Sequence, residues 1–210
     1  MKLNRKFFNR NTVLVAQELL GKYLVRKIPS TSSGQAAKII KARITETEAY
    51  CGTRDLACHA SRGLTERTKV MFGPAGFSYV YMIYGVYHCL NIVTEKEGNP
   101  SAVLIRAAVI QNAKFKTQND SSLDKPVDNR LAKSVIHRFK FKNKLNGPGK
   151  LCRELKIDRK LNNIDITKSD LLWVEDGEVM IKKHQIKKGK RIGVDYAGKW
   201  KDKLWRFYTL

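Results

Sequence analysis

From Val70 to Thr94 the chain carries no Asp, Glu, Lys or Arg, although 29% of its residues are charged and its formal net charge is +22. Within that gap, Tyr79-Val80-Tyr81-Met82-Ile83-Tyr84-Gly85-Val86-Tyr87 gathers four of the chain's eight tyrosines into nine residues. Aromatic and β-branched side chains at this density suit a pleated, half-buried surface. The pattern predicts two antiparallel strands, Phe77 to Ile83 and Tyr87 to Val93, turning near Tyr84-Gly85. Hairpin tips ordinarily use Asn, Asp or Gly. Tyr84 is out of place there unless something apolar receives it.

The gap follows closely on Glu46-Thr47-Glu48-Ala49-Tyr50, at the end of a long strand predicted over Ile39 to Tyr50. Along it Ile40, Ala42 and Ile44 point one way, and Lys41, Arg43 and Thr45 the other. A regular strand therefore puts Glu46, Glu48 and Tyr50 on the apolar side. Carboxylates are rarely buried without partners, so that placement sends them into a cavity or pocket edge. The structural alternative is a bulge that turns them to solvent, or pairing with an arginine.

At 210 residues the chain is long enough to bury a core without staples. Its 41 Lys+Arg against 19 Asp+Glu create a positive field that favours encounters with polyanions, while also fitting a merely solvated Lys-rich surface. No run reaches the ~20 apolar residues of a membrane span. Met1 to Arg10 lacks the apolar stretch and cleavage site of a secretory signal. An intracellular protein is expected, with Cys51, Cys58, Cys89 and Cys152 reduced. A zinc site built from Cys58, His59, His88 and Cys89 matches no common ligand spacing, so no metal is expected.

Elsewhere, Thr12 to Leu20 reads as a short helix capped by Asn11 or Thr12 and ended by Gly21. Tyr23 to Ile28 and Ala102 to Ala107 read as strands, with Arg106 near the end of the second. Pro29 to Ala37 reads as a flexible loop, and Gln111 to Lys144 as a mobile, Lys-rich excursion. Asn146-Gly147-Pro148-Gly149-Lys150 is a tight turn before a helix over Leu151 to Leu155. Asp176-Gly177 signals a hairpin within Leu171 to Ile181. Trp200, Trp205, Phe207 and Tyr208 are expected to complete the core. With no repeat and no linker, the expected architecture is α+β, a single domain over residues 1–210 with no membrane association.

An enzyme that removes a base from duplex DNA must swing the nucleotide out and fill the gap with an apolar or aromatic side chain. Tyr84 at a hairpin tip meets that need. Flat walls for the extruded base are available in Tyr50, Tyr81 and His59, since stacking is worth ~1–3 kcal/mol per base. Cleaving the N-glycosidic bond passes through an oxocarbenium-like sugar, which a carboxylate can stabilise while activating water. Glu46 or Glu48 can serve.

These residues also carry a resemblance. The stretch Glu46-Thr47-Glu48-Ala49-Tyr50, then Gly52, Asp55, Ala57, His59, Arg67 and Met71-Phe72-Gly73, is similar to the alkyladenine (3-methyladenine) DNA glycosylases. So are Tyr79-Val80-Tyr81, Ile83-Tyr84-Gly85, Asn91, Ala102 to Ala107, Gly147 to Cys152, Arg191 to Gly198 and Trp205 to Tyr208. The likeness runs from about Asn4 to the C-terminus. It implies a curved antiparallel sheet, flanking helices and a protruding hairpin. By the same resemblance Glu48, rather than Glu46, is the general base. Tyr50 stacks on one face of the flipped base, His59 and Tyr81 on the other. Tyr84 intercalates in the minor groove, Asn91 gates against the guanine amino group, and Arg106 holds a phosphate. The family departs from this chain at His88, where an aromatic is more usual.

The implied activity is monofunctional excision of damaged purines (3-methyladenine, 7-methylguanine, hypoxanthine, ethenoadenine) from double-stranded DNA, leaving an abasic site. It needs no cofactor and implies a monomer. The short N-terminal segment points to a bacterial-type cytoplasm, or to the nucleus in a nucleus-bearing cell. The competing reading is a noncatalytic nucleic-acid-binding module. A zinc deaminase is disfavoured by the missing His-x-Glu and Pro-Cys-x-x-Cys signature. Gly147-Pro148-Gly149-Lys150 also falls short of a Walker motif.

Overall fold

In a computed structural model, which describes residues 1–30, 36–111, 144–177 and 181–209, the chain folds around one antiparallel sheet. Its strands are β1 (Tyr23–Ile28), β2 (Lys38–Cys51), β3 (Ser78–Ile83), β4 (Tyr87–Thr94), β5 (Ser101–Ile110), β6 (Lys144–Asn146), β7 (Leu172–Glu175), β8 (Lys187–Gly189) and β9 (Arg206–Tyr208). The main path runs β3-β4-β5-β2-β1-β7, with β6 beside β5, β9 beside β2 and β8 beside β9. The α+β expectation holds. Four short α-helices complete the described secondary structure together with 3-10 turns: α1 (Arg5–Phe8), α2 (Thr12–Glu18), α3 (Lys69–Phe72) and α4 (Pro148–Glu154).

The 14-residue strand β2 organises the sheet because its two halves have different neighbours on one side. Lys38 to Arg43 pair with β1, whereas Glu46 to Glu48 pair with β9. On the other side β2 pairs with β5 from Ala42 to Cys51, but the register shifts between Ile44 and Glu46 and again between Glu46 and Thr47. Thr45 is thus extra on β2 and Arg106 extra on β5, a pair of bulges facing each other.

These bulges correct the parity expected from the sequence. A regular β2 would have kept Glu46, Glu48 and Tyr50 on the side of Ile40, Ala42 and Ile44. Instead Thr47 and Ala49 join those residues, pairing with Ile105 and Val103 of the main core. Glu48 and Tyr50 turn to the opposite face, which is a cleft and not bulk solvent. A bulge and arginine pairing are both present, yet the carboxylate remains enclosed.

The main core lies between the sheet and helices α2 and α4, and includes Val15, Ala16, Leu90, Ile92, Leu151, Leu155 and Phe207. Asn11 caps α2 by accepting the Leu14 N–H at 3.2 Å, an interaction typically worth ~1 kcal/mol. From this helix Ala16 accepts the hydroxyl of Thr47 at 2.7 Å, which pins β2 one residue before Glu48. A second cluster on the opposite face joins Cys58, Ala60, Val70, Met71 and Tyr79.

Other expectations fare variously. Strand β1 has the expected bounds, and α4 begins at Pro148, earlier than expected, because proline suits the first helical turn. Strand β7 forms, but its strand partner among the described residues is β1, and Ile181 lies in no strand. Residues 178–180, where the second arm of the expected Asp176-Gly177 hairpin falls, lie outside the described residues. So do 31–35 of the expected loop and 112–143 of the expected excursion. Phe207 completes the core as expected, whereas Trp200 packs with a small cluster of Ala57, Val194 and Ala197 at the cleft. Among the described residues no helix is long and apolar enough to cross a membrane.

Candidate active site

The cleft occupies the face of the sheet to which the bulges turn Glu48 and Tyr50. Its volume is about 220 Å³, below the range of drug-sized pockets and suited to one heterocyclic base. Tyr50, His59, Tyr81, Tyr84, Asn91 and Arg106, all singled out from the sequence, contribute to its lining. Six separate segments bring them together, and four of those are the neighbouring strands β3, β4, β5 and β2.

The rings form the walls. His59, in a 3-10 turn at His59–Arg62, meets the Tyr81 ring edge-on with centroids 4.6 Å apart. Its Nδ1 lies 2.9 Å from the Tyr79 hydroxyl, which fixes the imidazole plane. Burial first, then the nearby Arg67 and Arg62, push the His59 pKa down to about 4. The imidazole is therefore neutral at physiological pH. Asn91 is buried and donates its amide to the Tyr79 carbonyl at 3.2 Å, so its side chain is fixed across the hairpin. The guanidinium of Arg67 stands 5.1 Å from the Tyr81 ring centroid, outside the wall that Tyr81 forms.

Glu48 does not reach the cleft surface. Its side chain is 0% exposed and lies directly beneath three lining residues. The Tyr50 hydroxyl donates to Oε2 at 2.8 Å, the Ile192 N–H donates to Oε1 at 2.9 Å, and Arg106 Nη1 approaches Oε1 at 3.6 Å. A carboxylate offers about four lone-pair sites, so these partners leave room for one more donor. Burial raises the Glu48 pKa and the charge of Glu46 adds to this, opposed by Arg106, the Ile192 N–H and the Tyr50 hydroxyl. The net effect is a carboxyl group whose pKa lies above its ordinary value. Glu46 lies outside the cleft, paired with Arg106 at 3.1 Å and Arg206 at 3.2 Å.

At the cleft mouth, Tyr84 and Gly85 form a two-residue turn closed by the Val86 N–H to the Ile83 carbonyl at 3.2 Å. Both have positive φ, 52° and 69°, as a type I′ turn requires. Glycine adopts this readily, but for tyrosine it costs about 1–2 kcal/mol. Tyr84 nevertheless remains 88% exposed, with the core taking none of its bulk. Below the tip α4 buttresses the hairpin closely: a Cβ added to Gly149 would come within 3.1 Å of the Tyr87 side chain, which would have to give way slightly.

Comparison with known proteins accords with this arrangement. A family model described as Methylpurine-DNA glycosylase (MPG) matches residues 6–210. The chain belongs to the methylpurine-DNA glycosylase family. A relative from Legionella pneumophila strain Corby is 46% identical over 99% of this chain and 93% of its own length. One from Methanocella arvoryzae is 46% identical over 98% and 91%, and one from Clostridium perfringens is 41% identical over 99% and 95%. All three carry names that describe 3-methyladenine DNA glycosylases.

Sequence reasoning missed one wall of this DNA glycosylase. Ile192, Gly193, Val194 and Tyr196 line the cleft, in a segment that carries the family resemblance but to which the sequence assigned no site role. A buried ion pair seats that segment: Arg191 donates to Asp55 at 2.5 and 2.9 Å, to the Ala49 carbonyl at 2.9 Å and to the Trp200 carbonyl at 3.1 Å. Asp55 also accepts the N–H of Ala57, which lines the cleft. Lone Asp and Arg residues 136 positions apart give no periodic signal. His88 faces away from this cleft, into a groove shared with Arg153 and Lys156.

Proposed function

We propose that the protein excises damaged purines from double-stranded DNA as a monofunctional, monomeric glycosylase, leaving an abasic site. The observation that carries this reading is the placement of the Glu48 carboxylate, buried and raised in pKa, immediately under an aromatic cleft the size of one base. The extruded base stacks against Tyr50 on one side and against His59 and Tyr81 on the other. The neutral state of His59 avoids repelling a cationic base such as 3-methyladenine. Asn91, fixed by its bond to the Tyr79 carbonyl, sterically disfavours a guanine amino group. Tyr84 occupies the vacated place in the duplex.

In the chemical step, Glu48 accepts a proton from water as the water attacks the sugar carbon and the glycosidic bond breaks. Its negative charge stabilises the oxocarbenium-like sugar. Arg106 at the cleft wall holds the adjacent phosphate. A cationic base leaves without further help. A neutral base such as hypoxanthine needs a proton, which His59, with its pKa pushed down, and Tyr50 and Tyr81, with theirs pushed up by burial, are poorly suited to supply. Excision of cationic lesions therefore depends on the general base alone.

The deciding experiment measures abasic-site formation in defined duplexes carrying hypoxanthine, ethenoadenine or methylated purines. Base release without strand cleavage is expected. Tight lesion binding with no release at any pH would instead establish a noncatalytic binding module.

A further inference from the structure

Glu46 has no part in the steps above, although it stands two residues from the general base on the same strand. Its Oε1 accepts from Arg106 Nε at 3.1 Å, across from β5, and from Arg206 Nη1 at 3.2 Å, across from β9. Arg206 is itself tied through Nε to the Lys190 carbonyl at 2.9 Å. The Arg106 guanidinium thus bridges two carboxylates, one outside the cleft and one beneath it. The Arg106 and Glu46 side chains are only 13% and 20% exposed, so salt screens their pairing weakly.

A guanidinium has five N–H donors in a fixed fork. Among the described residues Nε bonds to Glu46 and Nη1 stands 3.6 Å from Glu48, which leaves the remaining N–H donors for another anion. We propose that Glu46 is a positioning residue of the excision reaction: it clamps Arg106 edge-on, so that the cation stays against Glu48 while its free donors take a DNA phosphate. The proposal depends on Glu48 being the general base. Without the clamp, a flexible arginine beside incoming DNA turns wholly toward the phosphate, and Glu48 loses its counter-cation.

The charged and titratable groups around Glu48 make the consequence measurable. They are Arg106 from β5, Glu46 and Tyr50 from β2, Cys89 from β4, and Arg206 from β9 acting through Glu46, with the Ile192 N–H from the remaining wall. Arg106 lowers the Glu48 pKa and Glu46 raises it. Two substitutions at position 46 therefore pull apart. Glu46→Gln keeps an acceptor for Arg106 Nε while removing the negative charge. Glu46→Ala removes both.

The test is single-turnover excision from a hypoxanthine-containing duplex, measured against pH for wild type and both variants. Glu46→Gln is expected to move the acid limb downward by about half to one pH unit with a plateau rate within about threefold of wild type. Glu46→Ala is expected to move it upward and to lower the plateau about tenfold or more. Coincident acid limbs in all three proteins would overturn the proposal, because a merely supportive Glu46 changes rate without changing titration. Downward shifts in both variants would overturn the clamp as well. A wild-type protein that forms no abasic sites would instead sink the glycosylase reading itself.

Discussion

The floor of the cleft and the tip of the hairpin are built on opposite principles. At the floor, Glu48 is fully buried and held by Tyr50, the Ile192 N–H and Arg106, each in turn fixed by other parts of the fold. At the tip, Tyr84 is almost wholly exposed and sits in backbone geometry unfavourable to it. A reacting group gains from being preorganised where water is scarce. A group that must enter a partner gains from being presented, even at a cost to the free protein. On the proposed reading, the difference separates chemistry from recognition within one cleft.

The largest expected effect tests the floor. Glu48→Gln should lower excision by about 10²–10⁴-fold while lesion-containing duplex still binds, since a positioned general base contributes about that much. Retained turnover would remove Glu48 from the mechanism. Next comes the wall. The His59 pKa is depressed from 6.5 to about 4, so the unfolded chain binds the extra proton first. Stability from this residue is complete above pH 6.5 and declines as pH falls to about 4, by about 3 kcal/mol in total. Chemical denaturation of wild type and His59→Gln across that window should show the variant with the flatter profile; parallel profiles would place the acid sensitivity elsewhere.

The tip yields smaller effects of opposite sign. Tyr84→Ala should reduce lesion excision about tenfold or more, given stacking energies of ~1–3 kcal/mol, with binding to undamaged duplex little changed. Equal losses in both would mean a structural tyrosine. Tyr84→Gly should raise folding stability by about 1 kcal/mol, because glycine accepts positive φ, while excision falls. Thermal unfolding of the two proteins decides this; a destabilised glycine variant would show that Tyr84 packs more than its exposure suggests.

Much of this was legible in the sequence where signals are local. The hairpin followed from β-branched and aromatic alternation, α2 from Asn11 and the spacing of Val13, Ala16, Leu19 and Leu20, and the cleft residues from the resemblance and their chemistry. The paired bulges at Thr45 and Arg106 were not. A register slip leaves no mark on a single strand's alternation, because it depends on the partner's extra residue as much as its own. The wall from Ile192 to Tyr196 was missed for a related reason. It is placed by Arg191 reaching Asp55, and a buried charge pair distant in sequence looks like two ordinary surface residues.

The contact from position 192 to the base comes from the peptide and not from the isoleucine side chain, which is half exposed. Most amino acids at that position can therefore deliver the same hydrogen to the carboxylate, whatever their size or polarity. Proline alone has none to give. This stretch is thus open to wide exchange in what it shows to DNA, with one prohibited letter.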